Sequence, residues 1–254
     1  MKILKKGIFF YTLALCVVFS ATAQDNQPTM FTVHTDNVKF DKIMQYEEAA
    51  KELKSSFEKH DIKDANWTAL SIEDGRFVYV TPIKNMGELD KNMMGDLYEK
   101  MGEEKADALF NKMDECYDSH SNYIVHYLPS MSYHPGPEGA DEGKNHREYH
   151  FLYYAPKNGK AMKEGMQEVK AMFEKRNIKN GYSVYHSGFG CEESYYMVSI
   201  AAKDNLEIAQ NGKQNDEIFT DEDQATFFKV IQLTTRYDKI EGRVRPDLSY
   251  HPKQ

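Results

Sequence analysis

The chain has 254 residues, 13% of them aromatic, three cysteines and a formal net charge of −8. An acidic chain repels phosphate backbones, which argues against nucleic acid as a partner. Neither a His-Glu-x-x-His nor a clustered Cys-x-x-Cys motif occurs, so spacing alone predicts no metal site.

Lys2, Lys5 and Lys6 precede an apolar run over 8–18, and Ala21-Thr22-Ala23 stands ahead of Gln24. A basic head, an apolar middle and a small-residue cleavage site read as a secretory signal peptide over 1–23, too short and wrongly flanked for a stable membrane span. No later stretch is apolar enough to span, so the expectation is an exported protein, periplasmic or secreted. Outside that segment remain Cys116 and Cys191. An oxidising compartment permits a bridge, but nothing in their placement demands one, and free thiols are expected.

A first unit spans 29–135. It opens with a β-rich run over 30–35. A helix follows over 40–60, with Ile43, Tyr46, Ala50, Leu53 and Phe57 at helical spacing. Strands over 67–72 and 76–83 flank Glu73-Asp74-Gly75, a hairpin turn in which Asp-Gly tolerates positive φ. A second helical stretch covers 89–117, broken near Gly102, and a strand over 122–128 leads to Ser132-Tyr133-His134-Pro135. Gly, Pro and acidic residues without apolar ones then mark a solvated linker over 136–146.

The second unit, 147–252, repeats this order. A strand covers 149–154, and a helix over 161–176 places Met162, Met166, Val169, Met172 and Phe173 on one face. Strands over 182–187 and 195–201 follow. Helical sequence over 206–236 is interrupted around 212–220, where Thr220 ahead of Asp221, Glu222 and Asp223 makes a good helix start. A strand over 239–245 leads to Ser249-Tyr250-His251-Pro252.

The two units share more than their order. Phe57-Glu58-Lys59-His60-Asp61-Ile62-Lys63 recurs as Phe173-Glu174-Lys175-Arg176-Asn177-Ile178-Lys179, and Ser-Tyr-His-Pro recurs at the same separation to within one residue. Strand, helix, strand, strand, helix, strand is the ferredoxin-like split βαβ order. Its helices cover one sheet face and leave the other bare, which costs about 25 cal/mol per Å² of apolar area in water. Two copies remedy this if their sheets face each other. The duplicated element order resembles the dimeric α+β barrel superfamily with both halves fused. The predicted fold is therefore α+β: two tandem ferredoxin-like βαββαβ repeats whose four-stranded antiparallel sheets pack face to face as a pseudo-dimeric α+β barrel. Two split-βαβ domains side by side are the alternative.

His34 and His150 hold equivalent places on the first strand of each unit and point opposite to Val33 and Tyr149. If Val33 and Tyr149 pack on the helices, both histidines face the space between the sheets, as anchors for a ligand or as hydrogen-bonded remnants of duplication. Trp67, Tyr79, His126, Tyr185, His186, Tyr196 and Arg243 are the other interior candidates. His126 and Arg243 match in the two closing strands, so the symmetry is broken there, by specialisation of one half or by drift. The Ser-Tyr-His-Pro repeats lack the strand-turn-helix elbow of a nucleophilic serine and read as strand-exit structure. Cys191 with His186 is a conceivable thiol pair, and the methionines from Met86 to Met113 fit helical core or a soft binding surface.

With no recognisable catalytic set, binding is preferred to catalysis: an exported protein holding a small apolar or aromatic ligand between its two sheets. The resemblance implies the alternatives of a haem-binding or monooxygenase-like enzyme, with His34 or His150 as candidate axial ligands of a haem. A third reading is an interaction protein whose interior is filled by its own side chains.

Overall fold

The structure, a computed structural model, describes residues 29–137 and 141–253. The signal peptide expected over 1–23 lies outside the described residues.

The first half contributes β1 (Thr29–Val38), α1 (Ile43–Lys59), β2 (Thr68–Ile72), β3 (Arg76–Ile83), α2 (Gly95–Met101), α3 (Glu103–Asp114) and β4 (Tyr117–Tyr127). The second contributes β5 (His146–Tyr154), α4 (Gly159–Arg176), β6 (Ser183–Ser187), β7 (Tyr195–Ala202), α5 (Asn205–Ile218), α6 (Asp221–Leu233) and β8 (Thr234–Val244). All eight strands form one closed antiparallel barrel in the order β1-β3-β2-β8-β5-β7-β6-β4. The expected sheets are present as runs of neighbours, β4-β1-β3-β2 and β8-β5-β7-β6. They do not stay separate. Their edges pair at two short seams, β2 with β8 through Leu70↔Val244 to Ile72↔Gly242, and β4 with β6 through Val125↔Ser187 to Tyr127↔Tyr185. The two seams close the sheets into one barrel, and side-by-side domains are ruled out. Gly242 allows the first seam: a Cβ there would stand 2.8 Å from the Ser71 carbonyl.

Helices cover the outside of the wall. α1 buries Tyr46, Ala49, Ala50, Leu53 and Phe57, a stripe at helical period. Together with Leu97, Leu109 and Met113 these form one core against the first half of the barrel. Met162, Met166, Val169 and Met172 of α4 make the second, with Val230 of α6. Gly102 separates α2 from α3 at φ +87°, a conformation costly for a residue with a Cβ. Thr220 caps α6 as expected, its N–H donating to Asp223 at 2.8 Å. The interruption predicted over 212–220 shrinks to Phe219 and Thr220, with Gly212 inside α5.

Two boundaries differ from expectation in the same sense. Helix was predicted to 117 and 236, yet α3 stops at Asp114 and α6 at Leu233, and β4 and β8 start about five residues early. The start of β4, Asp118-Ser119-His120-Ser121-Asn122, is polar on both faces and carries no apolar alternation. Pairing with β1 makes it a strand: Asp36↔His120 and His34↔Asn122.

The Ser-Tyr-His-Pro segments are strand exits as expected, but each docks on the opposite half. Tyr250 lies in the first-half core and donates to the Ile62 carbonyl at 2.5 Å; Tyr133 lies in the second-half core and donates to the Ile178 carbonyl at 2.9 Å. Ser249 Oγ accepts from the Ala69 N–H and Ser132 Oγ from the Val184 N–H. Both repeated motifs thus meet in space, the closing motif of one half on the helix exit of the other.

Candidate functional site

The strand phase is opposite to the one assumed from sequence. Val33 and Tyr149 point into the barrel, with Phe31, Val125, Phe151 and Met197, around a space of about 260 Å³. His34 and His150 therefore point outward, beneath the helices. Of the nine nominated residues, Tyr185 alone lines the barrel interior. Trp67 and Tyr79 join His34 in a cavity under the first-half helices. Tyr196 stacks on Tyr154 on the outer face, and the Tyr154 hydroxyl bonds His186 Nε2 at 2.7 Å. His126 sits opposite His186 in the β4–β6 seam. Arg243 lies opposite Ser71 in the other seam, in a groove with His146 and Asp204. The structure thus brings together His34, Trp67 and Tyr79, and separately His126, His186 and Tyr196. Cys116 and Cys191 are unpaired thiols.

The first-half cavity encloses about 600 Å³. Leu53, Leu89, Met93, Met94 and Phe110 form apolar walls, and one wall is polar. That wall follows from strand geometry. His34 and Asp36 are two apart on β1 and share a face; His120 and Asn122 do the same on β4, directly opposite. His34 Nδ1 lies 2.8 Å from Asn122 Oδ1, and its Nε2 lies 3.0 Å from Asp36 Oδ1. α1 supplies Tyr46, whose hydroxyl donates to Asp36 Oδ2 at 2.5 Å and meets the Tyr79 hydroxyl at 2.9 Å. A hydrogen-bonded chain thus runs from Tyr79 through Tyr46 to the 2%-exposed Asp36 carboxylate, whose other oxygen lies beside a half-open histidine. The Asp36 carboxylate beside its ring raises the His34 pKa above the ordinary histidine value against the opposing cost of burial. Burial holds the Tyr46 and Tyr79 phenols protonated far above their usual value. One donor atom each from His34, Asp36 and His120 lies within 4.8 Å of the others.

Four of these residues were missed in the sequence. Tyr46 was read as plain helix core, and His120 fell in a segment assigned to helix or loop. Asp36 and Asn122 carried a usable signal, because each lies two residues from a histidine and so shares its strand face once that strand is recognised.

The second half has a related arrangement with a different electrostatic outcome. His150 Nε2 lies 2.8 Å from the buried Glu148 and its Nδ1 2.6 Å from the Tyr237 hydroxyl. Lys239 Nζ stands 2.5 Å from the other Glu148 oxygen. Burial lowers the His150 pKa, only partly opposed by Glu148. The adjoining cavity, about 420 Å³, is walled by Met166, Val169, Phe173, Val198 and Phe227. Haem fits neither cavity well. Both ring nitrogens of His150 already hydrogen-bond a partner, leaving none for axial ligation. Neither cavity wall includes a lysine or arginine to meet the acidic side groups of a haem.

No protein-family model matches the sequence, and no curated protein matches it. Solved structures do. The chain is similar to an anthrone oxidase-like protein at 10% identity, with a TM-score of 0.54, covering 86% of this chain and 92% of that one. It is similar to a monooxygenase candidate from Lactobacillus acidophilus at 5% identity, TM-score 0.53, covering 87% and 95%. A monooxygenase candidate from Fusobacterium nucleatum aligns at 12% identity, TM-score 0.51, covering 85% and 92%. At such identities the likeness concerns the fold alone, the dimeric α+β barrel that the element order suggested.

Proposed function

We propose that the protein binds a small apolar or aromatic molecule in the first-half cavity, with its polar end held by the wall of His34, Asp36 and Tyr79, which Tyr46 backs from the helix side. The observation carrying this reading is the enclosure of about 600 Å³ by apolar side chains around one polar patch. That volume lies in the range of small-molecule sites, and few convergent polar groups in an apolar pocket are their usual chemistry. The ligand position moves from between the sheets, where about 260 Å³ is shared with inward-pointing Arg76 and Arg147, to the space between sheet and helices. Trp67, the one tryptophan of the chain, lines this cavity and reports on it. Titrating phenols, naphthols and fatty alcohols should change Trp67 fluorescence saturably and raise the melting temperature. Met94→Trp, which fills the cavity, should abolish both effects. Silence across the whole panel would remove the proposal.

A second reading is an oxygenase-type enzyme on an aromatic substrate. It is favoured by the half-open His34 beside the buried Asp36 at the cavity wall, placed to accept a phenolic proton. Oxygen consumption with quinols or anthrones, lost in His34→Ala, is its test. We also read the chain as two ferredoxin-like repeats, 29–135 and 147–252, exported after cleavage at Ala23; the mass and location of the mature protein check the export.

A further inference from the structure

We propose that His34, Asp36 and His120 form a binding site for one borderline divalent transition-metal ion, of the zinc, cobalt or iron(II) class, at the lip of the first-half cavity. Three observations carry it. The first is convergence. One donor atom from each residue lies within 4.8 Å of the other two. His34 Nε2 and Asp36 Oδ1 are already 3.0 Å apart. Two donors held at about 2.0–2.2 Å from one ion and about 90° apart stand roughly 3 Å from each other. His120 is exposed on β4, opposite Asp36, and is the third member of the set.

The second is the state of the donors. Asn122 Oδ1 lies 2.8 Å from His34 Nδ1. Because that oxygen only accepts, it places the proton of the neutral ring on Nδ1 and makes Nε2 the atom that offers a lone pair, the arrangement by which an outer hydrogen bond fixes a metal-binding histidine. Asp36 Oδ1 has no well-directed donor even though Nε2 is 3.0 Å away, so the contact runs off the line of a ring N–H. The two atoms lie side by side, as ligands do, and the carboxylate is 2% exposed. Its other oxygen is held by Tyr46, which orients the group.

The third is charge. The buried acid of the other half, Glu148, has Lys239 at 2.5 Å. Among the described residues Asp36 has an ion pair with His34 alone, and no lysine or arginine lines the cavity. Buried carboxylates are paired with cations or coordinate metals; a divalent ion would supply that charge here. Two imidazoles and one carboxylate suit borderline transition ions rather than calcium or magnesium. Three protein ligands leave coordination positions for water or for a ligand atom in the cavity.

The test is a cobalt(II) titration of the tag-free, EDTA-treated protein, followed by visible d–d absorbance, with zinc(II) competition and elemental analysis. One equivalent should bind. His120→Ala and Asp36→Asn should weaken binding at least about tenfold, and Asn122→Ala about 10–100-fold, while His150→Ala leaves it unchanged. Since His120 is exposed, its variant should keep the wild-type circular dichroism and melting temperature, so a loss of binding is not a loss of fold. The proposal is overturned if no saturable cobalt binding occurs, or if the His120→Ala protein binds as the wild type does. No organic ligand enters this titration, so its result is read independently of the cavity's ligand.

Discussion

At the residue scale, the polar wall of the first cavity is a chain of groups that need one another. Asp36 is buried as a carboxylate beside apolar core, and Tyr46 is its donor from the helix side. Tyr46→Phe keeps the packing and removes that donor. A hydrogen bond to a charged group contributes about 1.5–3 kcal/mol, so the variant should lose that much in urea denaturation; a wild-type midpoint would show the contact to be idle. His186 offers a test of sign. It faces His126 across the seam, Tyr154 on β5 and Tyr196 on β7, whose phenol is pushed up to about 12 by burial and then by Tyr154. Burial, then His126, lowers the His186 pKa. The unfolded chain therefore takes up the proton first, at about pH 6.5. Stability from this group is complete above that value and is lost as pH falls from there toward the folded pKa. His134 and His150, also lowered by burial, act in the same sense, and His34 in the opposite one. Wild-type denaturation midpoints should fall between pH 7.5 and 5.5, and His186→Gln should flatten that slope. Equal slopes would contradict the assignment.

At the element scale, the Ser-Tyr-His-Pro exits hold the two halves together. Tyr250 and Tyr133 each cap the carbonyl at which a helix exit turns through a left-handed residue, Asp61 at φ 47° and Asn177 at φ 51°. Tyr250→Phe and Tyr133→Phe should each cost about 1 kcal/mol, and by similar amounts, because the contacts are symmetry mates. A clearly larger effect of one, measured by chemical denaturation, would show that the halves have diverged here as they have at His34 and His150. Element order and helix stripes were legible in the sequence because the 3.6-residue period of Tyr46, Leu53 and Phe57 and the turn chemistry of Asp74-Gly75 are local signals. The starts of β4 and β8 were not. The polar run from Asp118 to Asn122 becomes strand through its partner β1, and a partner distant in sequence leaves no periodic mark on the segment itself. The candidate site depends on that extension, which is why Asp36 was not matched with His120.

At the scale of the molecule, neither half owns a complete core. Leu248 and Tyr250 complete the first, Met131 and Tyr133 the second, and the barrel wall closes only through both seams. The chain should unfold in a single calorimetric transition with matching van't Hoff and calorimetric enthalpies. Residues 29–137 made alone should show no cooperative unfolding; two resolved transitions, or a stable isolated half, would contradict this. By itself the sequence determined the order of elements and the α+β character, since periodicity and turn chemistry are properties of neighbouring residues. Only the tertiary structure decided which strand face turns inward and where the cavities lie. The central parts of β1 and β5 have cover on both sides, barrel packing within and helices without. Apolar alternation then no longer distinguishes the faces, and Val33 and His34 exchanged the roles that the sequence alone assigned them.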